Sequence, residues 1–313
     1  MEKIISIVVP CYNEEESIEI FYNEIEKVFK TIKGAGFELI FIDDGSNDKS
    51  KSIMQDLSKK DERVKYVSFS RNFGKEAGMY AGLSEVTGDY ATIMDVDLQD
   101  PPEYLKIMYE TLEKEDYDCV ALYTKSHEGY SAIRKSFTNL WYKLIDRISN
   151  SKQMPGARDF RLMTKQMVDT IISMQEYNRY IKGFFGYIGF KTKWISYNAP
   201  ERKQGVSKYS IKSLFKYAIE GITSFSTLPL IISVYVGLLF CLVSFIVIIG
   251  IIIKTLVYGD PTPGWPSLAC IIIFVSGIQL LFLGIIGTYI SKIYLEVKNR
   301  PVYIIKEKNT NKK

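Results

Sequence analysis

Residues 89–103, DYATIMDVDLQDPPE, decide how this chain is read. An apolar run from Tyr90 to Met94 leads into Asp95-Val96-Asp97-Leu98-Gln99-Asp100. It reads as a buried strand that carries acidic side chains to its carboxyl end. Side chains two apart in an extended segment point to the same side, so Asp95 and Asp97 are expected side by side. Two carboxylates so placed repel unless a cation lies between them. Hard oxygen ligands with open positions suit Mg²⁺ or Mn²⁺ bound together with a diphosphate, and Gln99 would add a neutral oxygen. A solvated acidic loop is the bland alternative.

Three earlier segments repeat the arrangement. IISIVVP (4–10) reads as a strand followed by CYNEEES and a helix starting near Asn13 and running to about Lys33. FELIFIDD (37–44) reads as a second strand, followed by GSND and a helix over 49–60. VKYVSFS (64–70) reads as a third, followed by RNFGKE and a helix from Lys75 to Val86. Strand and helix in alternation predict an α/β domain with a mainly parallel sheet, in which ligands bind at the carboxyl ends of the strands. Four polar loops gathered at one sheet edge make a site. Asp43 and Asp44 could accept hydrogen bonds from a base edge or a ribose hydroxyl, or could serve a turn and helix cap. There is no GxxxxGK[ST] loop and no GxGxxG, which disfavours nucleoside triphosphatase and dinucleotide chemistry.

Further along, Met154-Pro155-Gly156-Ala157-Arg158-Asp159-Phe160-Arg161 sets a carboxylate between two arginines. Flanking positive charge would keep Asp159 ionised. It could act as a base, as an orienting group, or as half of a structural pair at a helix start.

Composition bounds the alternatives. The formal net charge is +4 over 313 residues, which gives no support to nucleic-acid binding. The four cysteines form no CxxC pair and read as ordinary buried thiols. With His127 the single histidine, Ser-His-Asp chemistry and histidine-rich metal sites are disfavoured. The apolar start is too short for a signal peptide or a span, so the first domain is expected in the cytoplasm.

From Gly221 to Ser291 only Lys254 and Asp260 are acidic or basic. Within that stretch Leu228–Ile253 and Ser267–Ile290 are apolar runs of 26 and 24 residues, each above the roughly 20 needed to span a bilayer. Lysine and arginine crowd both outer flanks, whereas the connecting loop is nearly uncharged. The positive-inside rule then puts both flanks in the cytoplasm. The expected organisation is a catalytic domain over 1–205, an amphipathic interfacial region over 206–227, a two-helix hairpin over 228–291 (helices near 228–254 and 266–290) and a basic tail over 292–313. A solvated helix packed on the soluble domain is the alternative for 207–225.

Taken together, VVPCYNEEE, IDDGSNDKS, SRNFGKEAG, MDVDLQDPPE, ARDFRL and RKQGVSKYS resemble family 2 glycosyltransferases, and within them those acting on polyprenyl phosphates. The resemblance runs from about Ile4 to Lys212, and the apolar hairpin is similar to the bactoprenol branch. It implies a GT-A fold with a divalent cation. Carried over by motif, Pro10, Tyr12, Glu14, Asp43, Asp44, Lys75 and Asp95 would meet the nucleotide-sugar, and Asp95, Asp97 and Gln99 would hold metal and diphosphate. Asp97 and Asp159 would serve the chemistry, with Asp159 matching the base proposed for the family. Arg134, Arg202 and Lys208 would hold the acceptor's phosphate. The resemblance implies inverting transfer of one sugar, with UDP-glucose or a similar UDP-hexose as donor and undecaprenyl phosphate as acceptor. It also implies an integral protein of the inner membrane and a homotetramer. The QxxRW motif of processive synthases is missing: the nearest text is QEYNRY, 175–180.

Overall fold

Strand β1 (Lys3–Cys11) buries Ile5, Ile7, Val8 and Val9 completely. Both of its faces are therefore covered, as a strand inside a parallel sheet requires. The computed structural model describes residues 2–124, 156–174, 176–177, 181–197, 228–258 and 264–310. Along this chain follow α1 (Ile18–Phe29), β2 (Ala35–Asp43), α2 (Ser50–Lys60), β3 (Val64–Phe69), α3 (Lys75–Ser84), β4 (Tyr90–Ile93) and α4 (Tyr104–Lys114). Then come β5 (Cys119–Thr124), β6 (Ala157–Thr164), α5 (Lys165–Ser173), α6 (Ile181–Tyr187), β7 (Thr192–Tyr197), α7 (Leu228–Tyr258), α8 (Trp265–Val297) and β8 (Ile305–Lys308).

Among the described residues, eight strands form one sheet in the order β7-β5-β6-β4-β1-β2-β3-β8. Four of its seven pairings are parallel, and β4, β1, β2 and β3 form the continuous parallel part. The chain steps outward from β1 to β2 and β3, then returns to the other side of β1 for β4. That reversal is a topological switch point, where the loops at the strand ends open a crevice. The expected α/β, GT-A-like, mainly parallel sheet is the fold observed, with antiparallel pairings at β3–β8, β4–β6 and β5–β6.

Period-two alternation divides the core. Ile5, Ile7, Val9, Leu39, Phe41, Phe160 and Leu162 share one layer with Phe21, Ile25, Leu105 and Met108 of α1 and α4. On the other face α3 lies directly on β1. A Cβ at Gly82 would fall 2.1 Å from Val8 Cγ1, so only glycine lets the helix come so close.

Some expected boundaries move. Helix α1 starts at Ile18, because Asn13 takes a left-handed conformation (φ 55°) and the N–H groups of residues 13–15 bond to another loop. Strand β4 ends at Ile93. Asp95 and Asp97 therefore do not stand on a strand as expected. The chain turns at Val96–Asp97 and Leu98 is left-handed (φ 55°). The segment around Asp159 is strand β6, not a helix start. Residues 292–313, read as a basic tail, instead finish α8 and return as β8, antiparallel to β3.

The chain divides into two units, Met1–Lys208 with Arg300–Lys313, and Tyr209–Asn299. In the second, α7 and α8 run 31 and 33 residues. Segments Pro229–Val247 and Phe274–Val297 have mean hydropathies of 2.8 and 1.7 and are long and apolar enough to cross a membrane. Val234, Leu238, Phe245 and Leu280 all stand exposed. The expected interfacial region over 206–227 lies outside the described residues.

Candidate active site

The loops after β1 and β2 are laced to each other by main chain and side chain in turn. Asn13, Glu14 and Glu15 donate backbone N–H bonds to Ser46 Oγ (3.0 Å), Ser50 Oγ (2.8 Å) and Asp48 Oδ2 (3.2 Å). In return Asn47 and Lys49 donate theirs to Asn13 Oδ1 (2.9 Å) and Glu15 Oε2 (3.0 Å). Glu14 also accepts from Ser17 Oγ at 3.0 Å. Pro10, next to last in β1, is half-buried, and Tyr12, just past the strand, is exposed.

Asp43 and Asp44 then tie this pair of loops to the third. Asp43 is buried and accepts from Ser46 N (2.9 Å) and Ser68 Oγ (2.7 Å). Asp44 is also buried; Oδ1 accepts from Phe73 N at 2.6 Å and Oδ2 from Gly74 N at 2.8 Å. Burial pushes its carboxyl up, and the two N–H donors pull back only part of that rise. The third loop passes so near Gly45 (φ 70°) that a Cβ there would meet the Arg71 carbonyl carbon at 2.5 Å. Asp43 thus makes the local turn contact that the sequence reading allowed, whereas Asp44 holds the backbone of the third loop, a role that reading did not include.

Lys75, the first residue of α3, joins the third loop to the fourth and to β6. Its Nζ lies 2.6 Å from Asp95 Oδ1 and 3.4 Å from Asp159 Oδ2. Burial would lower its pKa, but Asp95 and Asp159 together outweigh that and hold it above the usual lysine value. Lys75, Asp95 and Asp159, distant in sequence, therefore form one charged cluster at the sheet's carboxyl edge. The arginines beside Asp159 turn to other tasks. Arg158 pairs with buried Asp100 at 2.8 Å, and Tyr197 also donates to Asp100. Arg161 is buried, 3.5 Å from the centroid of the Phe185 ring. Lys75, far away in sequence, is a positive partner of Asp159, and Arg161 also interacts with it electrostatically.

Asp97 and Gln99 are exposed, and Gln99 N donates to Asp97 Oδ1 at 3.1 Å. Among the described residues no group of three or more acidic, histidine or cysteine side chains converges on one point. A self-contained metal cage is thus absent from that part of the chain. Mg²⁺ and similar cations are commonly bound through one or two carboxylates plus substrate phosphates, and half-buried Asp95 with exposed Asp97 fits such a donor set. Arg134, Arg202 and Lys208 lie outside the described residues. Cys11, under the first loop, is buried with its thiol pushed well up by desolvation, so it offers no ready thiolate.

Sequence reasoning missed Ser50 and Ser68, and the Asp100–Arg158–Tyr197 group. Only the serines and acidic residues clustered at strand ends hinted at them.

Several known proteins are similar to this chain. The SfII prophage-derived bactoprenol glucosyl transferase of Shigella flexneri is 41% identical over 303 residues, 97% of each chain. The prophage bactoprenol glucosyl transferase homolog of Escherichia coli K12 is 41% identical over 302 residues, 96% of this chain and 98% of its own. Among solved structures, glucosyl-3-phosphoglycerate synthase from Mycobacterium tuberculosis has a TM-score of 0.47 at 16% identity, covering 71% of this chain and 79% of its own. Residues 6–172, more than half of the chain, match the glycosyl transferase family 2 domain. With that match, the sheet and its laced loops, the chain is a glycosyltransferase and belongs to glycosyl transferase family 2.

Proposed function

We propose that this enzyme transfers one glucosyl residue from UDP-glucose to a polyprenyl phosphate, with inversion, at the cytoplasmic face of the inner membrane. The observation that carries the reading is the 41% identity to a bactoprenol glucosyl transferase across 97% of both chains. That span includes the two long apolar helices. A long polyprenyl chain leaves a bilayer only at a cost of about 0.8 kcal/mol per methylene, so its enzyme must work beside the membrane.

In this reading the rim made by the first three loops receives the nucleotide, with exposed Tyr12 free to stack on the base. Asp95 and Asp97 would hold Mg²⁺ or Mn²⁺, which would supply charge stabilisation for the departing diphosphate. Lys75 has one ammonium shared between two carboxylates. It can turn from Asp95 toward a donor phosphate while still facing Asp159. The acceptor phosphate has a second pKa near 6 and is mostly dianionic at neutral pH. It needs little deprotonation, so Asp159 serves more to orient it than to act as a strong base. Arg134, Arg202 and Lys208 are assigned to offset the repulsion between the two phosphate-bearing substrates.

The test uses membranes containing the full chain, labelled UDP-glucose and undecaprenyl phosphate. The wild type should give a chloroform-soluble labelled lipid. Asp97→Ala should lose at least about 100-fold in rate, the scale on which removing one group that stabilises developing charge acts. Its Mn²⁺ affinity in the presence of UDP should fall as well. Full transfer by Asp97→Ala in the presence of chelator rules out the metal role. Absence of lipid product from the wild type, with labelled glucose going to another acceptor, rules out the polyprenyl phosphate.

A further inference from the structure

The geometry points to Tyr303, in the segment that follows the second apolar helix, as a positioning residue for the loop that carries Lys75. This inference rests on the reading of that loop as part of the donor site. Strand β8 is fastened to β3 and α2 well beyond what an edge strand of four residues needs. Glu307 accepts from Tyr66 Oη (2.6 Å) and Gln55 Nε2 (2.7 Å) and pairs with Lys51 at 2.7 Å. Asn309 exchanges two bonds with the Tyr66 main chain, and Lys308 pairs with Glu85 at 3.0 Å.

From that anchor, residues 303 and 304 extend past the end of β3 to the loop itself. Ser70 N donates to Ile304 O at 2.9 Å. The Tyr303 ring stacks on Phe69, with centroids 5.0 Å apart and planes 15° from parallel, and lies 6.2 Å from Tyr80 of α3. Phe69 in turn meets the Phe73 ring edge-on at 5.8 Å. The N–H groups of Phe73 and Gly74 are those held by Asp44, and Lys75 follows next. Tyr303 thus supports both ends of the loop, through Phe69 where it leaves β3 and through Tyr80 on the helix that Lys75 begins. The ring is stacked on Phe69 and tilted 59° to Tyr80; a phenylalanine ring can make both of these contacts and alanine neither.

Two measurements on the full chain in detergent test this. Aromatic pairs contribute enough that losing the stack should change a local equilibrium by about 3- to 10-fold. Tyr303→Ala should speed hydrogen exchange at the Phe73 and Gly74 amides by that factor without nucleotide, and weaken UDP binding in Mn²⁺ by a similar factor. Tyr303→Phe should restore both. Met108→Ala, a fully buried change in α4, should lower thermal stability while leaving both readouts at wild-type values. Unchanged loop exchange in Tyr303→Ala overturns the positioning role whatever UDP does. Parallel losses in Met108→Ala and Tyr303→Ala overturn it too, since general loosening would then account for the effect. Faster exchange with unchanged UDP affinity would instead sink the donor-site reading on which the role depends. A wild type that fails to bind UDP at all removes the donor site outright.

Discussion

Replacing Asp44 by asparagine separates two physical roles that one carboxylate could have. In the structure Asp44 is 4% exposed and each of its oxygens accepts a different backbone N–H, from Phe73 at 2.6 Å and from Gly74 at 2.8 Å. Asparagine keeps the shape but has one carbonyl oxygen. Its NH₂ would face the second N–H, donor against donor. The loss is one hydrogen bond to a charged acceptor, about 1.5–3 kcal/mol. Neutralising Asp44 also relieves its repulsion with Asp43, which raises the Asp44 pKa, and this returns part of the loss. The net expectation is about 2 kcal/mol, which for a unit of this size lowers Tm by about 4–8 °C. Thermal unfolding of the full chain in detergent reads it. UDP affinity should fall as well, because the third loop is no longer held. A wild-type Tm with strongly reduced UDP affinity would refute the reasoning, since it would mean that Asp44 touches the nucleotide instead of clamping the loop.

Two other substitutions follow from the same structure. Glu38 is buried and accepts bonds from Ser6, Thr87 and Gly88 while pairing with Lys65. Burial alone would raise its pKa, but these partners, Lys65 foremost, hold it below the ordinary 4.5. Its contribution is therefore complete above that pH and lost as pH falls through the lower folded value. Glu38→Gln should cost about 3 kcal/mol at pH 7, with the gap to wild type closing in acid, as read by denaturant midpoints at pH 7 and below pH 4; a pH-independent gap contradicts the ion-pair account. Gly45→Ala drives a Cβ to 2.5 Å from the Arg71 carbonyl carbon at φ 70°. It should cost about 2 kcal/mol or more and weaken UDP binding; wild-type values of both would show that the loops do not approach as described.

The parallel part of the sheet was open to reading because its strands are continuous apolar runs broken by polar loops. Ile5 to Val9 and Leu39 to Ile42 are buried on both faces, and that pattern survives in the sequence without any tertiary knowledge. The antiparallel additions were not open in the same way. Strand β8 is four residues long with alternating exposure and two lysines, which looks like a solvated tail until Tyr66, Gln55 and Lys51 come to meet it. Strand β4 was read too long, because an apolar run does not reveal where a left-handed Leu98 and the turn before it leave the ladder.

At the site, the charged residues were found but their partners were not. Asp159 was placed between Arg158 and Arg161 by adjacency. Alternation on a strand takes Arg158 to the face opposite Asp159; Arg161, two residues on, returns to the same side and interacts with Asp159 electrostatically, and an ion pair comes from Lys75, 84 positions away. Asp43 and Asp44 were read as nucleotide contacts or as a turn; the structure occupies both with N–H and hydroxyl donors from β3 and the loop after it. The four strand-end loops, which look like independent contributors in sequence, are one hydrogen-bonded rim from Asn13 to Lys75 that passes by ion pair to Asp95 and Asp159. A consequence follows for mutagenesis. A substitution in any loop can weaken donor binding by moving its neighbours, so loss of activity alone does not make a residue a contact. Only a variant that changes nucleotide affinity with stability and loop exchange intact identifies one, and by that criterion exposed Tyr12 and Asp97 are the residues to examine first.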